Sequence, residues 1–132
     1  MESVRNLLNN DQFAKFCGIK LLELSAGSAK TRLKIEKQHL NGVGVVHGGA
    51  IFTLADFAFA AASNSHGNIA LAINANISFT KATVGGILTA IATETSLNSK
   101  LATYTVRVTN DEDELVAIFQ GMVYRKKDII AK

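Results

Sequence analysis

Little cysteine, no proline and no concentration of charge mark this chain, and each scarcity removes a class of protein. With Cys17 as the only cysteine, no intrachain disulfide can form, and no Cys/His spacing points to zinc. A reducing cytoplasm is the expected home. The 14 basic and 11 acidic residues are scattered, with only Arg125-Lys126-Lys127 adjacent. No basic stripe with interleaved aromatics argues for nucleic acid, so no such partner is expected. The formal charge of +3 supports a modest attraction for anionic small molecules and nothing stronger. The start, Met1-Glu2-Ser3-Val4-Arg5, lacks a basic segment leading into an apolar one, so no signal peptide is expected. Residues 50–62 form the one candidate membrane span, which is too short for a bilayer core and carries Asp56. No membrane partner is expected.

What is present begins with that same stretch. Asn41, Gly42 and Gly44 form a turn-rich lead-in, followed by His47-Gly48-Gly49 and a run apolar on nearly every face. The run lacks helix breakers, and Ser63, Asn64 and Gly67 supply a stop, so a helix is predicted over 49–65. A helix apolar all round is wrapped by the rest of its protein. Asp56 is costly in such a helix unless something uses it.

The remainder, at 132 residues in all, is expected to form one domain over 1–132. Val4, Leu7, Leu8, Phe13 and Phe16 suit a short amphipathic helix broken near Asn10, with Asp11 as a cap and Gly18 as the end. The Phe13/Phe16 and Phe57/Phe59 pairs are expected in the core or at a dimer contact, with Phe57 or Phe59 able to line an acyl pocket. Strands are predicted over 19–24, 30–36, 69–79, 87–97, 101–110 and 115–125. In the fifth, Leu101, Tyr104, Val106 and Val108 are expected inward, with a slip in register near Ala102. The fold class is therefore α+β, one antiparallel sheet curved around one long helix. A single sheet leaves one flank of that helix open, and a second copy would close it.

A helix starting near Gly48 offers free backbone N–H groups and a partial positive charge, as an oxyanion requires. Without a Cβ at Gly48, a carbonyl can approach closely. Asp56, if ionised, can serve as a nucleophile or as a general base toward water. A rise of about 1.5 Å per residue separates the two by roughly 12 Å, too far for one aspartate to span. If both are catalytic, they come from different subunits. The competing structural reading pairs Asp56 with a backbone amide or with His66.

Asn41, His47-Gly48-Gly49 and Leu54-Ala55-Asp56 together resemble the signature of hotdog-fold acyl-CoA thioesterases of the PaaI-like group. The likeness extends from Phe13–Ile19 to Leu115–Ala117. The resemblance implies a hotdog fold, homodimers pairing into homotetramers, and hydrolysis of an aryl or short- to medium-chain acyl-CoA. It implies Asp56 as the catalytic carboxylate, the Gly48 amide as the polariser of the thioester carbonyl, and Asn41 as a holder of water or thioester. It places His47, Gly49, Asn74 and Phe57 at the substrate. It implies no metal and no cofactor, since coenzyme A is part of the substrate. Residues 81–86 depart from the family, which usually has a proline and an acidic residue there. Lys81, Lys100 and Lys126 are candidates for the nucleotide phosphates. Two alternatives stand: a non-catalytic acyl-CoA-binding or regulatory protein, and a hotdog dehydratase, whose His-Phe-Pro type motif with a helix glutamate is absent.

Overall fold

The structure, a computed structural model, describes residues 1–131. In chain order it contains α1 (Glu2–Asn9), α2 (Gln12–Cys17), β1 (Lys20–Ser25), β2 (Ser28–Lys34), α3 (Gly48–Asn64), β3 (Asn68–Phe79), β4 (Ile87–Leu97), β5 (Leu101–Thr109) and β6 (Leu115–Ile129), with a short 3-10 turn at Lys37–His39. The strands form one six-stranded sheet in the order β1-β2-β4-β5-β6-β3, antiparallel throughout. Every strand of it packs against α3. Strands about 4.8 Å apart make a sheet roughly twice as wide as a helix about 10 Å across, so all six reach α3 only by curving around it. The expected α+β arrangement is what forms.

Alternation sets the inner face. Leu88, Ala90 and Ala92 of β4, Tyr104, Val106 and Val108 of β5, and Phe119 and Val123 of β6 are buried against Leu54, Ala55, Ala58, Phe59, Ala61 and Ala62 of α3. The small residues let helix and sheet approach. Phe59 then fills the centre, edge-on to Tyr104 at 5.8 Å and tilted against Phe119 at 5.3 Å. Gly121 makes room for it, since a Cβ there would lie 2.6 Å from the Phe59 ring.

Three expectations are corrected. Leu101 faces outward and Ala102 inward, in step with Tyr104, so β5 carries no slip; the irregularity lies in β4, between Glu94 and Ser96. Phe13 and Phe16 are not core residues of the single chain, where they are 61% and 84% exposed because α2 is short and buries only Ala14; of the two places expected for them, a dimer contact is the one this leaves. The expected turn cap does form, with Asp11 accepting from the Ala14 N–H at 3.0 Å. The open flank of α3 is real in the single chain, where Gly49 is exposed and Thr53, Asp56 and Ala60 are only partly covered. No helix among the described residues is long and apolar enough to cross a membrane.

Candidate active site

The segment before α3 is built to hold the helix start in place. The Asn41 side-chain oxygen accepts from the N–H groups of Val43 (3.0 Å) and Val45 (3.2 Å), fixing a tight turn. Val46 N–H donates to Thr83 O at 2.8 Å and His47 N–H to His39 O at 2.7 Å. His39, which sequence reasoning passed over, is buried. Its Nδ1 accepts from Glu36 N–H, and its Nε2 donates to Cys17 O at 2.8 Å, tying this segment to α2. A lone histidine between two loops gave no signal for that role.

His47 caps the helix. Its Nδ1 accepts from the Gly49 N–H at 2.7 Å, which leaves Nε2 as the ring nitrogen that can carry a proton on the neutral side chain. The Gly49 amide is therefore occupied, and the Gly48 amide is not: among the described residues it has no acceptor. Gly48 lines a cleft of about 370 Å³ together with Val46, Ile51, Phe79, Lys81 and Thr83. This is the amide that the sequence assigned to an oxyanion. Phe79, which sequence reasoning did not place here, closes one side of it; the alternation of Ala75, Ile77 and Phe79 was the available signal.

Asp56 lies one face along the same unbroken helix, half-buried and without a hydrogen-bond partner among the described residues. Burial raises its pKa, and the negative charge of Asp11 raises it further. Asp11 was read from sequence as a cap alone. The structural alternative for Asp56 does not form, because His66 Nε2 pairs instead with Glu94 Oε2 at 2.6 Å. That carboxylate also accepts from Tyr104 OH at 2.8 Å, beyond the C-terminal end of α3.

The other expected site residues divide. Asn41, His47, Gly48 and Gly49 gather at the head of α3. Phe57 is 6% exposed and packs in the core. Asn74 falls apart from the group, exposed in a separate cleft with Asn76, Thr105 and Gln120 on the outer side of the sheet. A break in the β3–β6 register between Ala72 and Asn74 sets which face it takes. Of the candidate lysines, Lys81 lines the Gly48 cleft and lies 3.5 Å from Glu114. Lys100 and Lys126 lie toward the other end of the sheet, where Leu101 pairs with Tyr124. No cluster of metal-binding side chains is found among the described residues.

Residues 43–117 match the family model described as Thioesterase superfamily. A protein of Archaeoglobus fulgidus described as "Putative esterase" is 44% identical, covering 95% of this chain and 82% of its own. The acyl-coenzyme A thioesterase PaaI of Escherichia coli is 34% identical, covering 94% of this chain and 89% of its own. The solved structure of the E. coli PaaI protein superposes with a TM-score of 0.93 over 98% of this chain and 95% of that one, at 33% identity. A structure of the phenylacetic acid degradation protein PaaI of Thermus thermophilus gives 0.84 at 37% identity, over 88% of this chain and 100% of its own.

Proposed function

Because the chain belongs to the thioesterase superfamily, we propose that it hydrolyses an acyl-coenzyme A to the free acid and coenzyme A. The acyl group is aryl, or aliphatic of short to medium length, and the site is shared between two copies. The unoccupied Gly48 amide at the head of α3, opening on a cleft beside it, carries this reading. A thioester carbonyl accepts from that N–H, and the helix terminus stabilises the negative charge that develops on its oxygen.

Asp56 of the second copy supplies the attack. As nucleophile, its oxygen bonds to the carbonyl carbon, the carbon–sulfur bond breaks and coenzyme A leaves as its thiol after protonation. Water then cleaves the mixed anhydride. As general base, Asp56 takes a proton from water while the water oxygen forms the new bond, and the departing sulfur receives that proton. Both routes start from an ionised Asp56. Either way coenzyme A enters within the substrate, and no separate cofactor is called for.

Two features support pairing. One edge of β3 is unpaired along the sheet's border, with Leu71 and Ile73 exposed on it. The open flank of α3 includes Asp56, roughly 12 Å along the axis from the Gly48 that it cannot serve in its own chain. As the family resemblance implies, the paired copies associate further into tetramers. Asn41 acts by shaping the turn beside Gly48, and its free side-chain N–H₂ faces no acceptor among the described residues.

Thiol release from a panel of acyl-CoAs, including phenylacetyl-, benzoyl- and butyryl-CoA, tests the reading. Asp56→Ala should lose more than about a thousandfold in kcat/KM while remaining a folded oligomer. Mixing it with an inactive Asn41 variant should restore part of the activity through hybrid dimers. Hydrolysis by Asp56→Ala at the wild-type rate overturns the assignment.

A further inference from the structure

Phe79 ends β3, stands opposite Ala117 of β6 and is 53% exposed, yet its ring is not directed away from the protein. It lies against the head of α3. A Cβ built on Gly48 would sit 3.0 Å from Phe79 Cζ and 3.5 Å from both Cε atoms. The ring thus occupies the space that a side chain at position 48 would take. Ile51 lines the same cleft, and Ala117, paired with Phe79 on the neighbouring strand, is buried.

We propose that Phe79 is a specificity-determining residue that makes the site select, among aliphatic acyl groups, those unbranched at the carbon next to the carbonyl. The proposal rests on the Gly48 amide as the group that receives the carbonyl. A carbonyl accepting from that amide enters the cleft that Gly48 and Phe79 line together, with the ring 3.0 Å from the Cβ position of the same residue. A methylene next to the carbonyl carbon is narrow enough to pass the ring. A second methyl on the same atom meets a wall that is aromatic, apolar and backed by the end of a paired strand. Straight-chain and arylacetyl thioesters, both with a CH₂ at that position, fit; α-branched ones do not. Reach toward the far end of the acyl chain is not set here, so chain length and branching are controlled separately.

Butyryl-CoA and isobutyryl-CoA isolate the effect, because they share carbon count, charge and leaving group and differ only in α-branching. The wild-type protein should prefer butyryl-CoA by about tenfold or more in kcat/KM, the range one misplaced methyl commands in an apolar site. Phe79→Ala should reduce that preference by about tenfold, mainly by raising the isobutyryl rate. Phe79→Leu, which keeps an apolar contact at the strand end but shortens the reach toward Gly48, should fall between. A general loss of stability would lower both rates and leave their ratio alone. If Phe79→Ala cleaves neither isomer, the ratio in Phe79→Leu decides. A ratio within about twofold of wild type in an active variant overturns the role of Phe79 and leaves the thioesterase reading intact. A wild-type protein that cleaves no acyl-CoA overturns both.

Discussion

The proton on Asp56 is held first by burial and then by one neighbouring charge, that of Asp11, so its pKa lies above the ordinary carboxylate range. The attack proposed for Asp56 requires the ionised form, so kcat/KM should fall on the acid side with a midpoint above that of a solvated aspartate. Asp11→Asn separates the two causes. Asparagine still accepts from the Ala14 N–H and keeps the cap, so α2 should hold, while the charge is gone. The acid limb of the profile should move to lower pH without a change in melting temperature. A limb that stays in place would mean that burial alone sets the proton affinity of Asp56. Legibility at this scale was uneven. The Gly48 amide and the unpartnered Asp56 followed from a helix-start pattern and one misplaced charge. The Asp11 charge reaches the site through tertiary packing, which no local spacing encodes, while the alternation in β3 gives the inward face of Phe79 but not its contact with Gly48.

At the scale of the element, two irregularities have specific consequences. The irregularity at Thr95 in β4 leaves Glu94 opposite Tyr104 on the inner side, where the carboxylate gathers His66 and Tyr104 and joins the end of α3 to the sheet. Burial pushes the Glu94 pKa up, but the hydrogen bonds from His66 and Tyr104, with the charges of His66 and Arg125, outweigh it and hold the carboxyl below its usual range. The same burial and the Glu94 carboxylate push the Tyr104 hydroxyl far up. A carboxylate with a lowered folded pKa contributes stability above its unfolded pKa and loses it as pH falls through the folded one. Glu94→Gln should therefore cost about 1–2 kcal/mol at neutral pH, and denaturant melts should show the gap to wild type closing in acid. Gly121 gives the second test. A methyl there would meet Phe59 at 2.6 Å and Phe119 at 3.0 Å, so Gly121→Ala should destabilise by about 1–3 kcal/mol in the same melts.

Most of the elements were legible because burial here follows periodicity: Leu33 beside Arg32, and Val106 beside Arg107, alternate cleanly. The face taken by Asn74 was not, because a register break in β3 reverses the alternation that sequence alone would continue. Phe13 and Phe16 misled for a different reason. Their apolarity promises burial, but a helix of one and a half turns offers a single inward position, and Ala14 holds it.

The whole molecule ends in an open border. Leu71 and Ile73 are 54% and 57% exposed on β3, a strand with a neighbour on one side only. The single chain leaves this apolar run at the surface. In the paired state proposed above, the double variant Leu71→Lys/Ile73→Lys should sediment as a monomer. It should also lose thioester hydrolysis while keeping its far-ultraviolet circular dichroism. A variant that still sediments as a dimer would move the contact elsewhere on the chain.

In the pairing proposed above, an edge completed only by a second copy also turns abundance into a control. Near the concentration at which copies part, halving the number of chains removes more than half of the working sites. Specific activity should therefore fall on dilution and return on concentration, with no other molecule involved. For such a protein, the level of synthesis sets the rate more steeply than one-to-one.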